Sequence, residues 1–451
     1  MKPSLLAALL VLLAGAGPGL AATLQVDGSD PGCDDVSGNP FCEVGAAVAA
    51  AQDGDLIEIA PGTYAGDLTI FDDLILRGAD PETTKIVGGS TAVLRIFGDV
   101  VLENLTLSGN TERGLVSSGE SVRLIDCVIE DNGPASGGGG ILLTGGDLIL
   151  EETIVRGNTS DAPNVAGGAG LWMQGGTLFV TESEISDNHN LNAASPGGGL
   201  KIDAGSAIFA NTTISDNTSS NNGGGLSIAN FDGVTLDASA VLRNEAAAGG
   251  GGIHVAGPLT VRNSTLSGNR ASGDAAIVRF ALAFPVTLEN VTIHDNESTS
   301  GGTGGVNLGA ESLVANSILA GNRNLFGPSD CTGALGSLGY NLVQAPGCTL
   351  GGDLTGNQIG IDPRLYPLVE GAGVTAHHPF PIDSPVVDTA NPLTEGSSCP
   401  VVDQRALPRP EDGNDGGEAR CDVGSVELRT PLHYDGFESG DTSGWDSTVA
   451  P

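Results

Sequence analysis

Nine segments of this chain end alike, and that recurrence restricts its fold more than any other feature. They are ENLTLSGN, IDCVIEDN, EETIVRGN, ESEISDN, NTTISDN, ASAVLRN, NSTLSGN, VTIHDN and NSILAGN, closing at Asn110, Asn132, Asn158, Asn188, Asn217, Asn244, Asn269, Asn296 and Asn322. Successive asparagines lie 22, 26, 30, 29, 27, 25, 27 and 26 residues apart. The residue three before each is aliphatic: Leu107, Ile129, Val155, Ile185, Ile214, Val241, Leu266, Ile293 and Leu319. Self-similarity at such a period marks stacked units that bury their apolar faces only against one another.

A second element recurs between these endings, a glycine cluster followed by a short aliphatic strand. Examples are GGGGILL from Gly137, GGAGLWM from Gly167, GGGLKI from Gly197, GGGLSI from Gly223 and GGGGIHV from Gly249. Each coil therefore reads as glycine turn, strand, second strand, and a third strand ending in asparagine. Alternating apolar and polar residues mark strands buried on one face. With 70 glycines, helical repeats are excluded, because that load destabilises every helix. A propeller fits the period less well, since its blades show four separable strands and more aromatics. The expected fold is all-β, a right-handed single-stranded parallel β-helix of about a dozen coils. Stacked coils would place equivalent residues about 4.8 Å apart. Inward aliphatics would form a dry column. The asparagines would supply left-handed turns and a hydrogen-bonded ladder, and glycine the other tight corner.

Boundaries follow from composition. Residues 1–22 read as a secretory signal peptide: Lys2, an apolar run from Leu5 to Leu13 too short to span a bilayer, and small residues to Ala22. Residues 23–54 form an N-terminal cap, with a short amphipathic helix over 42–51 that plugs the open end of the solenoid. The repeats occupy 55–345, a C-terminal cap region 346–430 and an acidic tail 431–451. No later stretch approaches membrane-spanning length. Cys33 with Cys42, Cys331 with Cys348 and Cys399 with Cys421 fall as local pairs, suiting an oxidising compartment. Cys127 is left over inside a repeat, aligned with Ser264, and is expected as a buried, inert thiol. The formal charge of −37 argues against nucleic acid and anionic membranes as partners.

The stretch from Ala47 to Gly89, with DGDLIEIAPGTY and then LTIFDDLILRGAD, resembles the opening of the pectate-lyase-like β-helix superfamily. The glycine-cluster and asparagine grammar resembles polymorphic outer-membrane proteins, which are adhesin-like. Nearer the C-terminus stand Ile361-Asp362-Pro363, Val374-Thr375-Ala376-His377, Asp383-Ser384-Pro385-Val386-Val387-Asp388, Asp403-Gln404-Arg405 and Cys421-Asp422-Val423-Gly424. That ordered set resembles the choice-of-anchor Q domain of bacterial exported β-helix proteins. The resemblance implies a surface or extracellular setting, with the tail around Phe437 and Trp445 in the position of a sorting signal.

No complete catalytic constellation is legible. The Asn-Thr-Asp, Asp-Asp, Gly-His-Gly and Arg-Ile-Lys set of polygalacturonase-like chains is missing. A lyase needs a base facing calcium-holding carboxylates, and only Lys85 and Lys201 follow the signal segment. His377-His378 is the only adjacent histidine pair and is assigned a structural role in the cap. Asp403, Arg405 and Asp422 are expected to form ion pairs that close it. The loop holding Asp412, Asn414, Asp415 and Glu418 offers calcium ligands without EF-hand spacing. The sharpest candidate is a stripe. Trp172, Lys201, Ser227 and His254 each stand outward between two inward aliphatics of consecutive coils. The expected function is a secreted or cell-surface, adhesin-like binding scaffold for polysaccharide or cell-surface glycan. The alternative is a polysaccharide lyase or glycoside hydrolase using the same face.

Overall fold

The computed structural model describes residues 21–37, 40–133, 137–161, 167–229, 232–280, 284–371, 374–392, 399–414, 417 and 419–429. Most of the proposed signal peptide, Asp415, Glu418 and the tail lie outside the described residues. Among those described, no helix is long and apolar enough to cross a membrane.

The chain winds as a parallel β-solenoid, each coil contributing strands to stacked sheets. We call the strands that follow the glycine turns sheet 1, for example Leu200–Ile202, and the next strands sheet 2, for example Ser206–Ala210. The strands before the asparagines form sheet 3, which has 13 strands among the described residues. Pairs such as His189–Asn190 and Thr218–Ser219 add a short fourth sheet beyond the asparagines. Register holds from coil to coil: Leu171, Leu200, Leu226 and Ile253 stack in sheet 1, and Val155, Ile185, Ile214 and Val241 in sheet 3. All nine aliphatics three residues before the asparagines are fully buried. The core is thus a column of thin aliphatic layers, the packing a chain with 4% aromatic residues can fill.

The asparagine ladder forms. Asn217 Nδ2 donates to Ile185 O in the coil before (2.8 Å) and to Asn244 Oδ1 in the coil after (2.9 Å). Its Oδ1 accepts from Asn188 N (3.0 Å) and Nδ2 (2.9 Å). The left-handed backbone, however, belongs to the residue before each asparagine. Gly109, Asp131, Gly157, Asp187, Asp216, Arg243, Gly268, Asp295 and Gly321 all have positive φ. The division has a physical reason: a rigid turn residue aims the asparagine inward, where its amide must satisfy buried backbone carbonyls. A second ladder, of hydroxyls, runs between sheets 2 and 3. Thr153 N donates to Ser183 Oγ (3.0 Å), Thr212 N to Ser239 Oγ (3.2 Å) and Ser239 N to Ser264 Oγ (3.0 Å). Cys127 occupies one position of this ladder, buried, its thiol 3.4 Å from Leu102 O. Burial pushes that thiol up to about 12.

The helix spans Val44–Ala50 and buries Val44 and Ala47 against the first coil. The solenoid continues past residue 345, where the sequence placed its end. Pro346–Asp353 pairs in parallel with Cys331–Leu338, and Gln358–Ile359 with Leu342–Val343. The Cys331–Cys348 disulfide joins those two late coils, Cys33–Cys42 lies beside the helix, and Cys399–Cys421 closes the irregular C-terminal segment.

That segment runs back along the flank of sheet 3. Phe380, Val386, Val387, Ala390, Val423 and Val426 share an apolar cluster with Ile318, Ala320 and Leu342. Gln404 accepts from Thr265 Oγ1 (2.7 Å), and Gly424 N donates to Asn316 O (2.8 Å). Gly424 has φ +102, and a Cβ there would lie 2.7 Å from Ile318 Cδ1. The expected ion pairs form only in part. Arg405 Nε holds Asp403 Oδ2 at 2.8 Å, and buried Arg409 pairs with Glu427 at 3.2 Å. Asp422 accepts the backbone N–H of Asp388 (2.7 Å) and makes no ion pair among the described residues. Burial raises Asp422 to about 8.

Candidate functional site

The proposed stripe lies in strict register on sheet 1: Trp172 opposite Lys201, Lys201 opposite Ser227, Ser227 opposite His254. It is no ordinary solvated face, because Lys201 is 7% and Ser227 2% exposed. The enclosure comes from the glycine turns. Gly197 (φ +92) and Gly223 (φ +65) lie so close that a Cβ would sit 3.0 Å from Lys201 Cβ and 2.9 Å from Ser227 Cβ. Only glycine fits there, so the glycine cluster and the stripe form one device.

Asp203 organises the middle of the face. Its Oδ2 accepts from Trp172 Nε1 (2.7 Å) and from Lys201 Nζ (2.8 Å). The ammonium also lies 5.4 Å from the centroid of the Trp172 ring, within cation–π reach. At the next aromatic position, the His254 and Phe280 rings are 5.7 Å apart. Burial lowers the pKa of His254, and its Nδ1 has no hydrogen-bond partner among the described residues.

Sequence reasoning missed a second row. Two residues beyond each stripe position, the alternation brings another side chain outward: Phe71, Phe97, Gln174, Asp203 and Phe280 among them. Phe71 and Phe97 are 70% and 46% exposed and stack at 5.2 Å with an interplanar angle of 11°. Phe280 is 77% exposed. Continuing the period-two count past each short strand would have found this row. The face thus carries exposed aromatic surface towards both ends and a Trp–Lys–Asp cluster between them.

The other candidates separate from this face. His377 is buried beside Thr375 O, and His378 lies on the flank of sheet 3. In the acidic loop, Asp412 Oδ2 accepts Gly417 N (2.7 Å), and Asn414 N donates to Asp388 Oδ2 (3.1 Å). Among the described residues, no group of three or more His, Cys, Asp or Glu is placed to hold a metal.

A family profile described as a right handed beta helix region matches residues 83–241 and, overlapping them, 135–279. Among solved structures, the pectate lyase Pel9A is similar at 15% identity, covering 91% of this chain and 97% of its own, with a TM-score of 0.48. The alginate lyase AlyGC, of family PL6, is similar at 13% identity over 74% of this chain and 53% of its own, with a TM-score of 0.35. A mannuronic acid specific polysaccharide family 6 lyase from human gut microbiota shows 13% identity over 74% and 92%, with a TM-score of 0.38. No curated protein matches. Parallel register over successive coils and the family match agree that the chain folds as a right-handed parallel β-helix.

Proposed function

We propose that this protein is an extracellular binding scaffold that holds a linear polysaccharide along the outer face of sheet 1. The observation that supports it is the Trp172–Lys201–Asp203 cluster, set between exposed aromatic surface towards both ends of the same face. Aromatic rings offer flat apolar platforms for sugar rings, and the polar groups between them fix orientation. A chain laid along the axis would meet equivalent positions about every 4.8 Å. Neutral chains suit the face better than acidic ones. The protein carries a formal charge of −37, and both Lys201 and Arg95 on this face are already paired, with Asp203 and Asp67. Three disulfides accord with an oxidising compartment.

The test is retardation of the protein in gels containing neutral or acidic polysaccharides. Trp172→Ala and Phe97→Ala should each weaken retardation, additively if the platforms act on one chain. Equal retardation of all three proteins would overturn the reading.

One observation favours a second reading, a lyase or hydrolase on this face. Burial disfavours the charged form of His254, and its Nδ1 has no hydrogen-bond partner among the described residues, which suits a general base. Release of unsaturated or reducing sugar ends, lost in His254→Ala, would establish it.

A further inference from the structure

Where the C-terminal segment crosses sheet 3, it creates an arrangement separate from the polysaccharide face. Ser267 ends the strand Thr265–Ser267, locked between Leu242 and His294 by parallel pairing on both sides. His378 arrives from 111 residues further along the chain and places Nε2 2.9 Å from Ser267 Oγ. Its Nδ1 lies 2.8 Å from Tyr366 O. A carbonyl can only accept, so Nδ1 carries the proton and Nε2 presents its lone pair to the serine hydroxyl. The hydroxyl is therefore the donor in that bond. A nucleophile, a base within reach and a third group orienting the base are the parts that activate a serine.

The surroundings extend the likeness to a reaction centre. Both residues line a cavity of about 580 Å³ that opens to solvent. One wall is apolar, from Leu365, Pro367 and Leu368, and the other carries His294, Asp295 and Arg243, the last paired with Asp216 and with Glu370, which also lines the cavity. Gly268 N–H follows the serine on a left-handed residue (φ +67) and reaches His294 O only at 3.4 Å, beyond an ordinary hydrogen bond.

We propose that Ser267 and His378 form an acyl-transfer site for short-chain carboxylic esters. Ser267 Oγ bonds to the acyl carbon while its proton passes to His378 Nε2. Collapse breaks the ester C–O bond, and the alcohol leaves with that proton. Water, deprotonated by the same nitrogen, then attacks the acyl-serine and releases the carboxylic acid and the free hydroxyl. Burial lowers His378 to about 4, so it is a weak base and turnover is slow. Acylation of the serine is consequently the better readout.

The test is labelling of the full chain with a fluorophosphonate probe, mapped by mass spectrometry. We expect one label per chain, on Ser267, lost in Ser267→Ala and cut at least tenfold in His378→Gln. The labelling rate of the unaltered protein should hold level from pH 8 to about 5 and fall towards pH 4, which needs no variant to fold. p-Nitrophenyl acetate should give a stoichiometric burst. Folded protein that leaves Ser267 unlabelled, or whose labelling ignores both His378→Gln and acid, overturns the proposal.

Discussion

Asn322 Nδ2 donates to Asp330 Oδ1 at 2.8 Å, so the ladder of amides ends on a carboxylate. Asn322 N donates to the same oxygen (2.9 Å), and Ala345 N to Asp330 Oδ2 (2.7 Å). Asp330 is fully buried, and that burial outweighs its three hydrogen bonds, raising its pKa. A carboxylate with a raised folded pKa loses stability as pH climbs out of the ordinary carboxylate range.

Asp330→Asn removes the buried charge but sets its amide nitrogen against a donor that Asp330 accepts, so its melting point relative to the natural protein should be more favourable at neutral pH than at pH 3. Asp330→Ala should melt lower, by about 1–3 kcal/mol for the donors it leaves unpaired. Thermal denaturation of the three proteins at both pH values checks this.

Asp203 ties Trp172 to Lys201, whose side chain is 9% exposed. Asp203→Ala should destabilise the protein by about 2 kcal/mol, because an ammonium and an indole N–H lose their acceptor together. In a solenoid each coil touches only its neighbours, so hydrogen-exchange protection should fall in the coils holding Trp172, Lys201 and Ser227 and remain elsewhere.

Cys127 should resist thiol reagents in the folded protein and react only on unfolding, since burial holds it as the thiol, up to about 12. Cys127→Ser restores the hydroxyl found at the equivalent position of other coils, and its melting point should stay within about 1 kcal/mol of the parent. A titration with a coloured disulfide reagent, with and without denaturant, measures the first point.

Acid should pull the C-terminal flank in two directions. His378 is held neutral to about 4 against an ordinary 6.5, so its contribution is complete above pH 6.5 and drains away as pH falls through 4. The loss amounts to on the order of 3 kcal/mol. His294, 4.6 Å away centroid to centroid, would gain a charged neighbour as His378 protonates. Asp422 and Glu427 have raised values and oppose this trend, losing stability as pH rises. Limited proteolysis after residue 361 at pH 7 and pH 4.5 reads the balance, and His378→Gln should shift it towards protection in acid relative to the natural protein.

The repeat made the solenoid legible because stacking demands the same side chain at the same corner in every coil. Nine asparagines, nine inward aliphatics and the stripe from Trp172 to His254 could each be placed by counting. The left-handed turn was misplaced by one residue because Gly, Asp and Asn share that tolerance, and only backbone geometry separates a residue that bends from one that bonds. Phe71, Phe97 and Asp203 escaped because they lie beyond the ends of three-residue strands, where the count of alternating positions was stopped. What the sequence determined by itself was everything periodic, since periodicity is local and repeats its own evidence. What tertiary structure decided was everything made by chance neighbours: the glycine turns closing over Lys201, the acid ending the ladder, and the meeting of Ser267 with His378. Those contacts join residues that no spacing rule relates, because the irregular segment that carries His378 has no period from which its docking could be read.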